Sequence, residues 1–162
     1  MQQPDLVVEA INHRDAATAV HIHTVLMLAS AQEAALLQTD HLPALAQTAA
    51  DVQASVAFYL GAVCGDVLLG ALSLGPDDEA GQINIASLVV HPAHQRQGVA
   101  TALLAEALRR ASGMVVCVAT AAGNSPALAL YRGCGFVDYR SGVLSDAGLQ
   151  MIKLRRAPTA LQ

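Results

Sequence analysis

Tryptophan is absent from this sequence, phenylalanine occurs twice and tyrosine three times. So few aromatic rings argue against an aromatic cage for a quaternary cation and against a stacking platform for nucleic-acid bases. Charge is scarce too. Nine lysines and arginines stand against thirteen aspartates and glutamates, giving a formal net charge of −4 and a pI near 5.8. No broad basic face is therefore available for phosphate backbones, and nucleic acid is not an expected partner. The cysteines Cys64, Cys117 and Cys134 are too few and too widely spaced for a disulfide framework; they fit buried thiols in a reducing, cytoplasmic compartment. Uninterrupted apolar runs are short, as in Val67 to Leu72 and Met114 to Ala119. They fall well below the roughly 18 residues that cross a bilayer, so no membrane span or membrane partner is expected. The start, MQQPDLVVEA, lacks the basic and long apolar regions of a signal peptide.

What is present is apolar. Hydrophobic residues make up 54% of 162 residues, and mean hydropathy is +0.42. That composition argues against disorder and predicts one folded domain over 1–162. It is also consistent with a homodimer interface.

Leu6 to Ile11 reads as a strand, and Asn12 with Asp15 as the cap and first-turn acid of a helix running to about Ala29. Ser30-Ala31-Gln32-Glu33 has the spacing of a capping box, which predicts a second short helix ending in the polar stretch Gln38 to Pro43. A further helix is expected over Leu45 to Gln53. Val56 to Val63 and Val67 to Leu74 flank Gly65-Asp66, the pattern of an antiparallel hairpin. After a turn whose tip, Asp77-Asp78-Glu79, reads as solvated, Gln82 to Val90 supplies a third strand, stopped by His91-Pro92. Gly98 to Ser112 places Val99, Leu103, Leu104, Ala107 and Leu108 on one helical face, with Arg109, Arg110 and Gly113 at the end. Met114 to Thr120 is the next strand, and strand, helix, strand implies a parallel crossover. Ser125-Pro126 opens a helix carrying Leu128, Leu130 and Tyr131, and strands over Phe136 to Arg140 and Leu149 to Leu154 close an α/β (α+β) fold.

The loop Gln95-Arg96-Gln97-Gly98-Val99-Ala100 lies between an apolar strand and a strong helix start. The first backbone N–H groups of that helix point into the loop, which makes it attractive to anions. Gly98 lets the backbone approach a phosphate, Ala100 leaves the helix end uncovered, and Arg96 and His94 add local positive charge. Read alone, the segment is equally an ordinary strand-to-helix connection. G-x-x-x-x-G-K-[ST] and G-x-G-x-x-G are both absent, so it is neither a P-loop nor a Rossmann fingerprint.

Leu88-Val89-Val90-His91-Pro92, followed by Gln95 to Ala100 and Leu103-Leu104, resembles the acetyl-CoA-binding motif of the GNAT superfamily of N-acetyltransferases. Asn124-Ser125-Pro126-Ala127, with Tyr131 and Gly135-Phe136, is similar to that family's second diagnostic segment. Together the two cover about Gln82 to Tyr139. The resemblance implies a mixed, mostly antiparallel sheet flanked by helices, with a central parallel strand pair that splays apart. It implies transfer of the acetyl group of acetyl-CoA to a primary amine, on a small molecule or on a protein N-terminus or lysine. A catalytically silent acyl-CoA-binding regulatory domain is the alternative. Position by position, it implies that the backbone of Gln95, Arg96, Gln97, Gly98, Val99, Ala100 and Thr101 binds the pyrophosphate. Leu88, Val89 and Val90 would run beside the pantetheine arm, Leu88 and Val90 pairing with its amides, and Asn124 and Ala127 would flank it. Tyr131 would be the general acid that protonates the departing thiolate, a role suited to a phenol whose ordinary pKa is about 10.

An alkylammonium of pKa about 10.4 is almost wholly protonated at neutral pH, and only the free amine attacks a thioester. Relatives often carry a glutamate on the strand before the pyrophosphate loop, but here Gln82-Ile83-Asn84-Ile85-Ala86-Ser87 has no carboxylate. Asn84 or Ser87 holding a water, or Asp40 and His41 between helices, are the alternatives, and the base stays unassigned. The same resemblance implies that the acceptor is held by Gln38 to Pro43 and by Ser141 to Gly148. His91 and His94 flank a proline, and His21 and His23 leave different sides of a helix, so no metal site is expected. Cys134, between two glycines, reads as packing.

Overall fold

The computed structural model describes residues 5–144 and 148–158. After β1 (Val7–Ala10), the Asp15 carboxylate accepts the Thr18 backbone N–H at 3.0 Å and opens α1 (Ala16–Leu37). The break expected at Ser30 does not occur. No glycine or proline interrupts this alanine-rich stretch, Ser30 is itself buried, and the helix runs on for 22 residues. It stops at Gln38, held at φ +53° with its N–H turned back to the carbonyls of Ala34 and Ala35. By length and composition α1 is long and apolar enough to cross a bilayer, with a mean hydropathy of 1.2 in its 18-residue window. Reading it as two helices hid that length. In this structure it lies along the sheet and buries Ala19, Ile22, Val25, Leu26, Ser30 and Ala34.

The helix expected over Leu45 to Gln53 is a 3₁₀ turn (Pro43–Ala46) followed by α2 (Ala49–Ala54). Thr48 and Asp51 cap each other's backbone N–H groups, which fixes the later start. Then come β2 (Phe58–Cys64), β3 (Val67–Pro76) and β4 (Gln82–Val90), α3 (Val99–Arg110), β5 (Val115–Ala121), α4 (Ser125–Gly133), β6 (Val137–Leu144) and β7 (Leu149–Arg156). Val56, expected in β2, precedes the strand and is exposed. The described residues form a seven-stranded sheet in the order β1-β2-β3-β4-β5-β7-β6. Its neighbours are antiparallel except β4 and β5, the pair joined by the α3 crossover.

Neighbouring residues of a strand point to opposite faces, so Ala71 packs with Ile22 and Leu26 of α1 while Leu72 packs with Leu103 and Leu104 of α3. Each fully buried leucine contributes about 1.5–3 kcal/mol. Gly70 sets how closely α3 approaches: a Cβ there would lie 2.8 Å from the Val89 carbonyl oxygen and 3.1 Å from Val99 Cγ1. The start of α3 therefore rests directly on the β3–β4 ladder.

Two further expectations change. The Asp77-Asp78-Glu79 tip is clamped rather than merely solvated: Lys153 Nζ lies 2.8 Å from Asp77 and 2.7 Å from Asp78, and the Asp77 side chain is only 3% exposed. Arg140 adds contacts to Asp78 and Glu79. β6 runs past Arg140 and pairs as far as Leu144 with Leu149, so the first half of the segment expected as a loop, Ser141 to Leu144, is strand. Residues 145–147 of that acceptor segment lie outside the described residues.

Candidate active site

β4 pairs with β5 only over Gln82–Ile85, opposite Val115–Val118. Beyond that point β4 stays with β3, up to Gly70 opposite Val90, while β5 follows β7, up to Ala121 opposite Met151. The cause is local. Ser73 faces Ser87 but Leu74 faces Ile85, which leaves Ala86 as a bulge in β4 at the residue where the two parallel strands part. From there to Val90, the β5-facing peptide groups of β4 have no strand partner among the described residues. Such an edge can pair with any extended chain that carries amides.

The opening leads to α3. Its N-cap is Gly98, at φ +81° and without a side-chain cap, whereas Asp15, Thr48 and Asn124 cap α1, α2 and α4. The first helical bond runs from the Ala102 N–H to the Gly98 carbonyl at 3.0 Å, so the N–H groups of Val99, Ala100 and Thr101 face the loop. Arg96, at φ +60°, is left-handed as well. Two left-handed residues within three curl the loop around that helix end. A Cβ at Gly98 would meet no atom within 4 Å, so the left-handed backbone, rather than crowding, calls for glycine there.

A cleft of about 660 Å³ fills the space between these parts, in the range of cofactor sites. Of the residues singled out in the sequence, Leu88, Val89, Val90, Gln95, Arg96, Gly98, Val99, Ala100, Thr101, Asn124, Ala127 and Tyr131 line it. Gln97 does not. The sequence reading missed the wall formed by α1: Ala29, Gln32, Glu33 and Leu36 also face the cleft. Their spacing of three, one and three is a single helical face, visible once Ser30 is read as mid-helix. Two side-chain bonds tie α1 to the cleft's rims. Gln95 Nε2 donates to Gln32 Oε1 at 2.5 Å, and Asn124 Nδ2 donates to Glu33 Oε1 at 3.2 Å. Asn124, one residue earlier than the cap expected at Ser125, also accepts the Ala127 N–H through Oδ1 at 3.2 Å.

Tyr131 is 5% exposed and packs edge-on against Phe136, with ring centroids 5.6 Å apart. Burial, and then the negative charge of Glu33, push its phenol above its ordinary value. It therefore keeps its proton throughout the neutral range. The proposed relays are not grouped with it. Ser87 Oγ lies 2.6 Å from Ser73 Oγ on a separate cavity of about 100 Å³, together with Tyr59 and Ser55. Asn84, Asp40 and His41 line neither cavity. His91 Nδ1 accepts the Ala93 N–H, and no cluster of three or more metal-ligating side chains occurs among the described residues.

An open strand edge for an amide-bearing arm, an uncapped helix end for a diphosphate and a buried phenol beside them fit an acyl-coenzyme A thioester. Residues 22–136 match the Acetyltransferase (GNAT) family, and the chain belongs to that family. UPF0157 protein YqkA of Bacillus subtilis (strain 168) is 31% identical over 131 residues, which are 80% of this chain and 38% of that protein. The chain thus spans well under half the length of this curated relative. Among solved structures, yncA of Salmonella typhimurium, a putative acetyltransferase with its cofactor acetyl-CoA, aligns with a TM-score of 0.72 at 18% identity, covering 96% of this chain and 95% of that one. The ribosomal-protein-S18-alanine N-acetyltransferase of Escherichia coli aligns with a TM-score of 0.70 at 15% identity, covering 98% and 97%. At such identities the likeness establishes the fold: a mostly antiparallel GNAT sheet with one parallel pair.

Proposed function

We propose that this chain transfers the acetyl group of acetyl-CoA to a primary amine. The observation that carries the reading is the parting of β4 from β5 at the Ala86 bulge, which opens onto the uncapped start of α3 with Tyr131 in the same cleft. Bound acetyl-CoA supplies an acetyl group already activated as a thioester. In this reading the main chain of Leu88 and Val90 pairs with the arm. The N–H groups of Val99, Ala100 and Thr101 hold the diphosphate without help from a basic patch. Asn124, oriented by its bond to the Ala127 N–H, and Ala127 itself flank the arm. Tyr131 offers its proton to the sulfur as negative charge gathers there; a thiolate of pKa near 8.5 leaves readily, so the phenol assists more than it drives.

The acceptor is a small amine or a protein N-terminus or lysine. The Escherichia coli neighbour carries a protein alanine in its name, which supports a polypeptide as one option for this fold. The absence of a carboxylate from β4 favours a second reading, a domain that binds acyl-CoA without turning it over. Thiol release and mass spectrometry with acetyl-CoA and a mixed amine library separate the two. Acetyl transfer to an amine supports the first reading, and binding without release from any amine supports the second. Failure to bind acetyl-CoA contradicts both.

A further inference from the structure

An acceptor that arrives as an ammonium ion has to lose a proton before it can attack, and β4 supplies no group to take it. The cleft does contain a carboxylate, on another element. Among the described residues, Glu33 is the single acidic one lining it. The other titratable groups facing it are Tyr131 from α4 and, from the loop across the cleft, His94 and Arg96. Leu88 to Val90 of β4 bring none, and α1 carries no other charge from Ala29 to Leu37. Among the described residues no lysine or arginine pairs with Glu33, and its side chain has one hydrogen-bond partner, Asn124 Nδ2 at 3.2 Å. That bond is oriented: Asn124 Oδ1 is occupied by the Ala127 N–H, so the amide must present its nitrogen to Glu33. One carboxylate oxygen is thereby held, and the other is left for a cation.

We propose that Glu33 is the catalytic base of this site, the group that draws the acceptor ammonium into the cleft and removes its proton. The proposal rests on the acetyl-transfer reading above. Glu33 takes one proton from the ammonium nitrogen, and the freed lone pair forms a bond to the thioester carbonyl carbon. The carbon–sulfur bond breaks with its electron pair on sulfur, which takes a proton from the Tyr131 hydroxyl. The remaining surplus proton on nitrogen returns to Tyr131 through water, and Glu33 releases its own to solvent. The products are an amide, a thiol and one proton. Base and acid stand on different elements, α1 and α4, and line the same cavity. The Glu33 charge, after burial, raises the Tyr131 phenol, in keeping with their shared place in the cleft.

Glu33→Gln tests this cleanly, because glutamine keeps an oxygen for Asn124 while losing the charge and the basicity. The acceptor probe is a mixture of primary alkylamines, amino-acid amides and lysine peptides. Thiol release is followed across about pH 6 to 9, with acetyl-CoA affinity by calorimetry and melting temperature measured alongside. For the parent, kcat/KM should be nearly flat over that range, since the base acts on the abundant ammonium form. For Glu33→Gln it should rise about tenfold per pH unit, because only amine already deprotonated by solvent reacts, and it should lie about 10²–10³-fold below the parent at neutral pH. Acetyl-CoA affinity should stay within about twofold and the melting temperature unchanged. A variant with the parental rate and profile overturns the proposal and leaves the acetyl-transfer reading intact. A variant that loses acetyl-CoA affinity by more than about tenfold overturns it differently, making Glu33 a positioning residue for Asn124. A parent that binds acetyl-CoA yet releases no thiol overturns both.

Discussion

Replacing Gly98 by alanine tests whether backbone geometry, rather than side-chain charge, makes the anion site. Gly98 sits at φ +81° and an added Cβ would meet no neighbour within 4 Å, so the substitution introduces no clash. Its effect is conformational: a left-handed backbone disfavours any residue with a Cβ by about 1–2 kcal/mol. The free loop escapes that strain by turning away, and the N–H groups of Val99, Ala100 and Thr101 turn with it. Binding must then restore the strained form, which weakens acetyl-CoA affinity by about 5–30-fold. Arg96→Gly is the matched control. Glycine adopts the φ of +60° found at Arg96 without strain, and the lost charge lies on an exposed rim, worth about 0–1 kcal/mol and screened by salt. Calorimetric titration at low and high ionic strength distinguishes the two: Arg96→Gly should approach the parent in high salt, while the deficit of Gly98→Ala should persist. Gly98→Ala at parental affinity, with Arg96→Gly losing binding at every ionic strength, would refute the backbone argument.

Tyr131→Phe keeps the ring and its contact with Phe136 and deletes the proton donor. Turnover should fall by roughly 10²-fold with acetyl-CoA affinity and melting temperature almost unchanged, as steady-state kinetics with calorimetry will show. Because burial and Glu33 push the phenol upward, no loss of rate from ionisation of Tyr131 should appear below about pH 10 in the parent profile. The clamp at the β3–β4 tip should show in acid melts. Hydrogen bonds from Lys153 and then Arg140 hold the Asp78 carboxyl at about 2, below its ordinary 3.8. A depressed carboxyl stabilises the fold above its unfolded value, and that contribution fades as pH falls from about 4 to about 2. Asp78→Asn should flatten the fall of melting temperature across that window, and an unchanged slope would remove the clamp from the acid response.

What the sequence revealed and what it hid divide along physical lines. The strand, loop and helix from Gln82 to Arg110 were readable because each boundary carries its own chemistry: a histidine-proline stop, a glycine start, and an apolar face at helical spacing. The parting of β4 from β5 was foreseen only through family resemblance, since the bulge at Ala86 depends on how Ser73 and Ser87 pair across strands. Glu33 was missed for a definite reason. Ser30 and Glu33 have capping-box spacing, and local hydrogen bonding at a new helix start competes on paper with a continuous helix. Burial of Ser30 and the lack of any breaker decided for continuity, which turned Glu33 from a cap into a wall of the cleft. The clamp on Asp77 and Asp78 was invisible for another reason: Lys153 is more than seventy residues away in the chain, and no local pattern announces such a partner.

The most direct test of the account is a crystal structure of this chain grown with acetyl-CoA. The arm should lie along Leu88 to Val90 in strand-like pairing, with the diphosphate on the N–H groups of Val99, Ala100 and Thr101 and the sulfur within hydrogen-bonding reach of the Tyr131 hydroxyl. A cofactor bound elsewhere, or an arm that leaves the opening between β4 and β5 empty, would contradict it.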